Sequence, residues 1–381
     1  MLSIPCALFA QRSATPATSE RSHIADVLAF GAVGDGVADD TEALQSAITS
    51  LRGSGGQVWL PPGTYRLTRS LVVSMATSTT SLWIQGAGNG ATKLVQTTPT
   101  ADVFQIGVTG ASAAVQISFA DLWLVGGRYG LNLNNALVGT FDRLLIQGSQ
   151  IGIYFQGQNE RHTFRNIQID GSALHGIYAG ATNGGDGKVL DLPELQKTTF
   201  DTVRVSGTAG GTAIVISAGK LGNQQASGLN RLRRILFESN KRGSLEIDYA
   251  FNTVVEGMST EEQLDADNTY DSVLIDHQSR VTLRDVLIGK ASGRPNFAHY
   301  VNVNSGTVTI EDSVLSGGGP AATADVRVNN ALTLINSVIT SASSVLFTGD
   351  AARKLFAAIA VRDASGGFLS WSDLKLSPQR P

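Results

Sequence analysis

The sequence predicts an all-β solenoid, a stack of small coils around one continuous core, and three observations carry that reading. A six-residue frame of the form apolar, any, polar, apolar, any, apolar recurs at residues 119–124 (FADLWL), 141–146 (FDRLLI), 164–169 (FRNIQI) and 200–205 (FDTVRV), with looser copies beginning at 232, 255, 283, 310 and 334. A second apolar element follows the frame at a nearly constant distance, as YGLNL at 129, IGIYF at 151, HGIYA at 175, TAIVI at 212 and SLEI at 244. Glycine is abundant, 42 of 381 residues, and proline scarce at 10, a composition for many tight turns without the period of three of collagen. Successive frames begin 22, 23, 36, 32, 23, 28, 27 and 24 residues apart. A unit of that size cannot bury its apolar face alone, so it must stack on its neighbours. Leucine-rich repeats share the period, but their frame and their helical return are not seen here.

Ahead of the repeats, residues 27–30 (VLAF) read as a short strand and 31–39 as a glycine-rich turn. Asp40 reads as the N-cap of a helix whose Leu44, Ala47, Ile48 and Leu51 share one face. Gly53, Gly55 and Gly56 end that helix, and 57–60 and 65–73 read as strands about a turn at 61–64 (PPGT). Asp35, Asp39 and Asp40 look catalytic by composition, yet turn and cap duty accounts for all three. The stretches 179–197 and 207–230 exceed the period by roughly 13 and 9 residues and read as loops on neighbouring coils, placed to wall a binding site. The pattern stops after Asp350, and 351–381 reads as a C-terminal cap or tail.

The run FGAVGDGVADDTEALQSAI at 30–48, followed by VWLPPGTYRL at 58–67, closely resembles the N-terminal segment of the pectate-lyase-like superfamily, which includes polygalacturonase-related proteins and many phage tailspikes. The resemblance is specific over 26–69 and extends by pattern to about residue 350. It implies a right-handed, single-stranded parallel β-helix of about ten coils over 23–350, with a short N-terminal capping helix, acting on an extended carbohydrate polymer. Polygalacturonases of this superfamily carry NTD, paired-aspartate, GHG and RIK motifs; this chain has only LHG at 174–176. The run LIDH at 274–277 shares three letters with a pectate-lyase signature, without a clear column of supporting aspartates, and calcium is not implied strongly.

In such a fold, equivalent positions of successive coils lie about 4.8 Å apart, so columns can be read from the frame. The position after each frame runs Val125, Gln147, Asp170, Ser206, Glu238, Glu261, Gly289, Ser316. Glu238 and Glu261 are adjacent in it. Two carboxylates one rung apart approach the ~5–5.5 Å of a retaining glycosidase, and a diagonal pair the ~6.5–9.5 Å of an inverting one. These two are the expected catalytic pair, with Asp248, Glu256 and Glu262 in reserve; a solvated acidic edge is the plain alternative. Tyr154 and Tyr178, in one outward column, and Trp123 offer aromatic faces for sugar rings. Arg204, Arg234 and Arg242, in a region that also holds Arg231, Arg233 and Lys241, offer guanidinium groups for an anionic polysaccharide, or pair with neighbouring acids.

Other chemistries find little support. The net charge of −3 argues against a nucleic-acid partner. The single cysteine, Cys6, excludes an intramolecular disulfide and a cysteine-based zinc site. His162, His175 and His277 lack the spacing of a helical metal pair and read as structural; no metal or other cofactor is expected. GAGNG at 86–90 leads into no helix, so a dinucleotide fingerprint fails, and no GxSxG elbow is present. No run approaches the ~18 apolar residues of a membrane span. Residues 2–10 (LSIPCALFA) resemble the apolar part of an export signal without its basic start, so 1–22 reads as a leader remnant or tail of a secreted protein. The leading function is hydrolysis of a polysaccharide, by a monomer or homotrimer. A uronate lyase or epimerase, and a non-catalytic, tailspike-like glycan-binding adhesin, are the alternatives.

Overall fold

The structure is a computed structural model that describes residues 23–74, 81–107, 113–180, 182–183, 189–191, 194–217, 227–261, 270–277, 279–289, 298–316, 326–340, 347–348, 355–359 and 367. Among these, parallel strands stack into a bent sheet of 19 strands, a second sheet of 11 and a short third sheet of four. Each coil runs along the bent sheet and turns into the second. On four coils it then passes through the third sheet, Gln158–Glu160, Glu194–Gln196, Ser227–Gly228 and Ala250–Phe251.

The recurring frame is the bend itself. Its polar third position is the corner of the bent sheet, and Asp121, Arg143, Asn166, Thr202, Arg234, Asp285, Asp312 and Asn336 all take left-handed backbone there, with φ from 45° to 61°. This conformation is unfavourable for residues with a Cβ. Side-chain bonds along the corner offset it. Arg143 donates to both carboxylate oxygens of Asp121 (2.6 and 2.7 Å), the Arg234 Nε to Thr202 (2.9 Å), and the Asn336 amide to Asp312 (2.7 Å).

Inside, the first frame position forms a column. Phe119, Phe141, Phe164 and Phe200 stack with centroids 5.4, 4.5 and 5.0 Å apart, and the column continues through Leu232, Val255, Leu283, Ile310 and Leu334. His162 packs against Phe141, Phe155 and Phe164, and burial lowers its imidazole to about 4, so it stays neutral in the core. Outside, the second frame position carries a ladder in strict register, Asp142, Arg165, Asp201, Arg233, Glu256, Arg284, Glu311. Charge alternates at every rung, with Arg284 to Glu311 at 2.8 Å and Arg165 to Asp142 at 3.5 Å. Slipping one rung would oppose like charges, so this column helps fix the register.

The N-terminal segment departs from the sequence reading in four places. Ile24–Asp26 is the strand and Val27–Phe30 a 3-10 turn, because the Asp26 carboxylate accepts the Leu28 N–H and Gly31 takes a left-handed conformation beyond it. Asp35–Asp39 is a strand within the expected turn, and the expected strand at 65–73 is split into Gly63–Leu67 and Leu71–Val73. The helix Thr41–Ser50 starts where expected, but Asp39, not Asp40, bonds its first N–H, at Thr41 (3.1 Å). Asp40 accepts the Val33 N–H instead, and the Ala38 and Val37 N–H groups hold the Asp35 carboxyl below the ordinary range. Stacking also continues past Asp350, where Leu355–Ile359 pairs in parallel with Ala331–Ile335.

Two stability tests follow from the columns. Phe164→Ala empties the middle of the aromatic stack and is expected to cost about 3–5 kcal/mol in denaturant unfolding. Arg233→Glu places three acids on successive rungs and is expected to lower the melting temperature, by more than the neutral change Arg233→Gln does.

Candidate active site on the second sheet

The strands of the second sheet alternate, with Ile177, Ile214, Leu245 and Val273 buried in the core and the next residue facing outward. The outward column reads Asn132, Tyr154, Tyr178, Val215, Glu246, Leu274, Asn302. Two residues further along each strand lie Ser217, Asp248 and Asp276 in register. Both long excesses of sequence leave at this edge: residues 181–193 follow Gly180, and 218–226 follow Ser217. Of the first, the short antiparallel pair Thr182–Asn183 with Val189–Asp191 is described.

The polar groups gathered here have opposed proton affinities. Burial pushes the Glu246 carboxyl above the ordinary glutamate range, and Asp248 and Asp276 add to the rise, while a hydrogen bond with Thr212 works against it. Burial also raises Asp248, only partly countered by His277, whose Nδ1 lies 2.7 Å from Asp248 Oδ1, and by Ser217 at 3.1 Å. Asp276 goes the other way. Burial would raise it, but the Asn304 amide (3.0 Å), the Ser305 hydroxyl (2.7 Å) and the His277 N–H (2.8 Å) together bring it below the ordinary aspartate range. The half-exposed His277 imidazole stacks on Tyr249 at 4.5 Å, in a left-handed turn just after the strand. With Nδ1 directed at Asp248, its Nε2 is the ring nitrogen turned away from that carboxylate.

Aromatic rings approach this cluster from one side. Tyr129 and Tyr154 lie 4.4 Å apart, Tyr154 and Tyr178 5.9 Å, and His175 stacks on Tyr178 at 4.5 Å. His175 Nδ1 lies 2.7 Å from the Thr212 carbonyl oxygen, and burial lowers its basicity. Gly211 and Gly180 make room: a Cβ on either would collide with the His175 or the Tyr178 ring. Arg242 reaches the entry edge, its guanidinium 4.8 Å from the centre of the Tyr270 ring.

The residues expected from sequence divide over several surfaces. Glu238 and Glu261 are paired in register at the end of the bent sheet. Arg204 lies between Glu238 (2.5 Å from its Nε) and Asp170 (2.8 Å from Nη1). Trp123 lies on that same limb under the Lys93 ammonium, 4.1 Å from its ring centre. Glu256 belongs to the charge ladder, 3.6 Å from Arg233, and Arg234 to the corner, paired with Asp201. Asp248, Tyr154, Tyr178 and Arg242 are on or beside the second sheet, and Glu262 lies outside the described residues. Tyr154 is 1% exposed, so the expected open stacking face is covered; Tyr178 is only partly buried. The sequence reading passed over Glu246, Asp276, His277 and His175 as functional groups. Extending the column of Tyr154 and Tyr178 two rungs further reaches Glu246. Among the described residues no group of three or more His, Cys, Asp or Glu is arranged to hold a metal ion. Nor, among them, is any helix long and apolar enough to cross a membrane.

Comparison with known proteins agrees with this architecture. Residues 24–106 match the family described as rhamnogalacturonase A/epimerase, pectate lyase-like. Over 66 residues the chain is 44% identical to the mannuronan C5-epimerase AlgE6 of Azotobacter vinelandii, a match covering 16% of this chain and only 8% of that protein. Its backbone is similar to the AlgE6 A-module of that organism, with a TM-score of 0.64 at 16% identity over 89% of this chain and 99% of that one. It is also similar to PfbA, a surface adhesin of Streptococcus pneumoniae, with a TM-score of 0.61 at 14% identity over 89% and 94% of the two chains. A tailspike of an Acinetobacter phage gives 0.61 at 12% identity over 90% and 62%. At such identities the structural likeness establishes the fold alone. The family match covers residues 24–106, and beyond it the likeness to these solved structures is one of fold, a right-handed parallel β-helix.

Proposed function

We propose that the chain is an extracellular carbohydrate-active enzyme that hydrolyses an extended polysaccharide lying along the outer face of the second sheet. One observation carries this reading: Glu246 and Asp276, diagonal neighbours on adjacent strands, are pushed toward opposite protonation states. One rung of about 4.8 Å and two residues of about 3.3 Å each put their Cα positions about 8 Å apart. With both side chains leaving the same face of the sheet, the ~6.5–9.5 Å between carboxyl groups of an inverting pair, which leaves room for water, is within their reach. Glu246 donates its proton to the glycosidic oxygen as the C1–O bond breaks, and Asp276 takes a proton from the attacking water. Tyr178 and His175 provide a platform for a neighbouring sugar ring.

A second reading is favoured by the imidazole that Asp248 orients. On a uronate polymer, His277 Nε2 would take the C5 proton while protonated Glu246 hydrogen-bonds to the sugar carboxylate. Reprotonation on the other face gives the epimer, and loss of the 4-O substituent gives an unsaturated end. The 66-residue match to a mannuronan C5-epimerase adds weight to this reading. The pair Glu238 and Glu261 remains a rival location for the catalytic carboxylates, supported by their register.

A panel of acidic and neutral polysaccharides, assayed for reducing ends, unsaturated ends and deuterium uptake at C5, separates these readings. Glu246→Gln is expected to lose activity about 100-fold or more, and Glu238→Gln and Glu261→Gln to stay within about threefold of the parent. The reverse pattern moves the site to the bent sheet. Hydrolysis predicts new reducing ends without unsaturation, and Asp276→Asn as damaging as Glu246→Gln. C5 chemistry predicts deuterium uptake or unsaturated ends, both lost in His277→Ala.

The pH dependence has a definite sign. Glu246 is raised in the folded state, so its protonated form is favoured by folding, and ionising it costs stability as pH rises through the folded value. Asp248, Asp276 and Tyr178 are the titratable groups coupled to it, with His277 beyond Asp248. Activity is therefore expected to fall on the alkaline side as Glu246 ionises. Glu246→Gln should raise the melting temperature near neutral pH and lose that advantage below the ordinary glutamate range.

A further inference from the structure

We infer that a second surface, separate from the second sheet, holds an anionic glycan chain without acting on it. It is a groove of about 710 Å³ on the outer face of the first limb of the bent sheet, at the N-terminal coils. Two outward columns form it. One reads Ile24, Gln57, Trp83, Ser118, Thr140 in register, and the next Ala120, Asp142, Arg165. Ser118 and Ala120 contribute small side chains to its lining, with Trp83 on the rung beside Ser118 and Asp142 on the rung beside Ala120.

The chemistry of the walls selects the occupant. Trp83, 46% exposed, presents an indole against which a pyranose ring can stack, and Gln57 and Thr140 lie on rungs of the same column with groups able to bond hydroxyls. Arg143 and Arg165 close the other side with side chains 49% and 52% exposed, while the carboxylates they pair with, Asp121 and Asp142, are only 18% and 12% exposed. The acids are thus covered by their partners, and the charge offered to solvent is guanidinium. Guanidinium binds carboxylate or sulfate in a fixed geometry, so the complementary ligand is a sugar chain bearing anions. The rungs repeat along the groove, which suits an extended polymer. The first and second sheets being different faces of the solenoid, one polymer held here is kept at high local concentration for the other face.

The inference does not depend on which reaction takes place at the second sheet, and it is tested with the Glu246→Gln protein. Affinity electrophoresis in gels containing polygalacturonate, alginate or neutral dextran is the measurement. Retardation is expected in the two anionic gels and not in dextran, weakening as salt rises. Adding Trp83→Ala or Arg165→Gln should lower the apparent affinity at least fivefold, with unchanged far-ultraviolet circular dichroism showing that the fold persists. Retardation unaffected by both changes overturns the proposal. Turnover persisting in Glu246→Gln would show as new sugar ends in the gel, a failure of the catalytic reading that leaves the binding result intact.

Discussion

Side chains at one frame position must meet their own kind on the next rung, and the rest of the molecule depends on that contact. Four phenylalanines at a centroid spacing near 5 Å set the height of the first complete coils. The aliphatic residues above them continue the column with smaller volumes. Because each coil is one rung high, excess chain between columns is taken up mainly in turns, and within a strand pair a single residue is absorbed beside Ala136 and Val138. That is why the excess residues at 181–193 and 218–226 both leave at the same edge, where the chain passes from the second sheet toward the third.

This division of labour also explains where chemistry is affordable. The inner side of each strand is committed to packing, and the outer side is free to vary. On the bent sheet the outer positions are used for mutual compensation, guanidinium beside carboxylate, and the charges are largely spoken for. On the second sheet the same positions gather three carboxylates, and among the described residues the His277 imidazole lies against one of them, Asp248. Incomplete compensation in a partly buried place is what separates the proton affinities of Glu246 and Asp276. The local glycines serve that arrangement by yielding volume to two aromatic rings.

Much of the architecture was legible in the chain. The frame, its spacing and the register of Glu238 opposite Glu261 followed from counting alone, because a parallel stack turns sequence period into spatial contact. What counting could not supply was direction within the frame. A polar residue in third place looks like an interruption of a strand, and only the left-handed backbone of Asp121 and its successors shows it to be a corner. Pairing was equally hidden: Glu238 lies beside Arg204, 34 residues earlier, and nothing in its own hexapeptide announces the partner. Glu246 was within reach of the same method, since it falls in the column of Tyr154 and Tyr178. The apolar Val215 stands between Tyr178 and Glu246 in that column and hides its polar character in the sequence. In the N-terminal segment, local side-chain bonds to backbone, such as that of Asp26, overrode the strand propensity of valine and phenylalanine.

The alternation from Asp142 to Glu311 restricts how such a protein can lengthen or shorten over evolutionary time. Duplicating or deleting one coil within that span would seat acid on acid or base on base, whereas two coils together keep the parity. The solenoid there is built in couples, and the natural unit of its growth is twice its visible repeat.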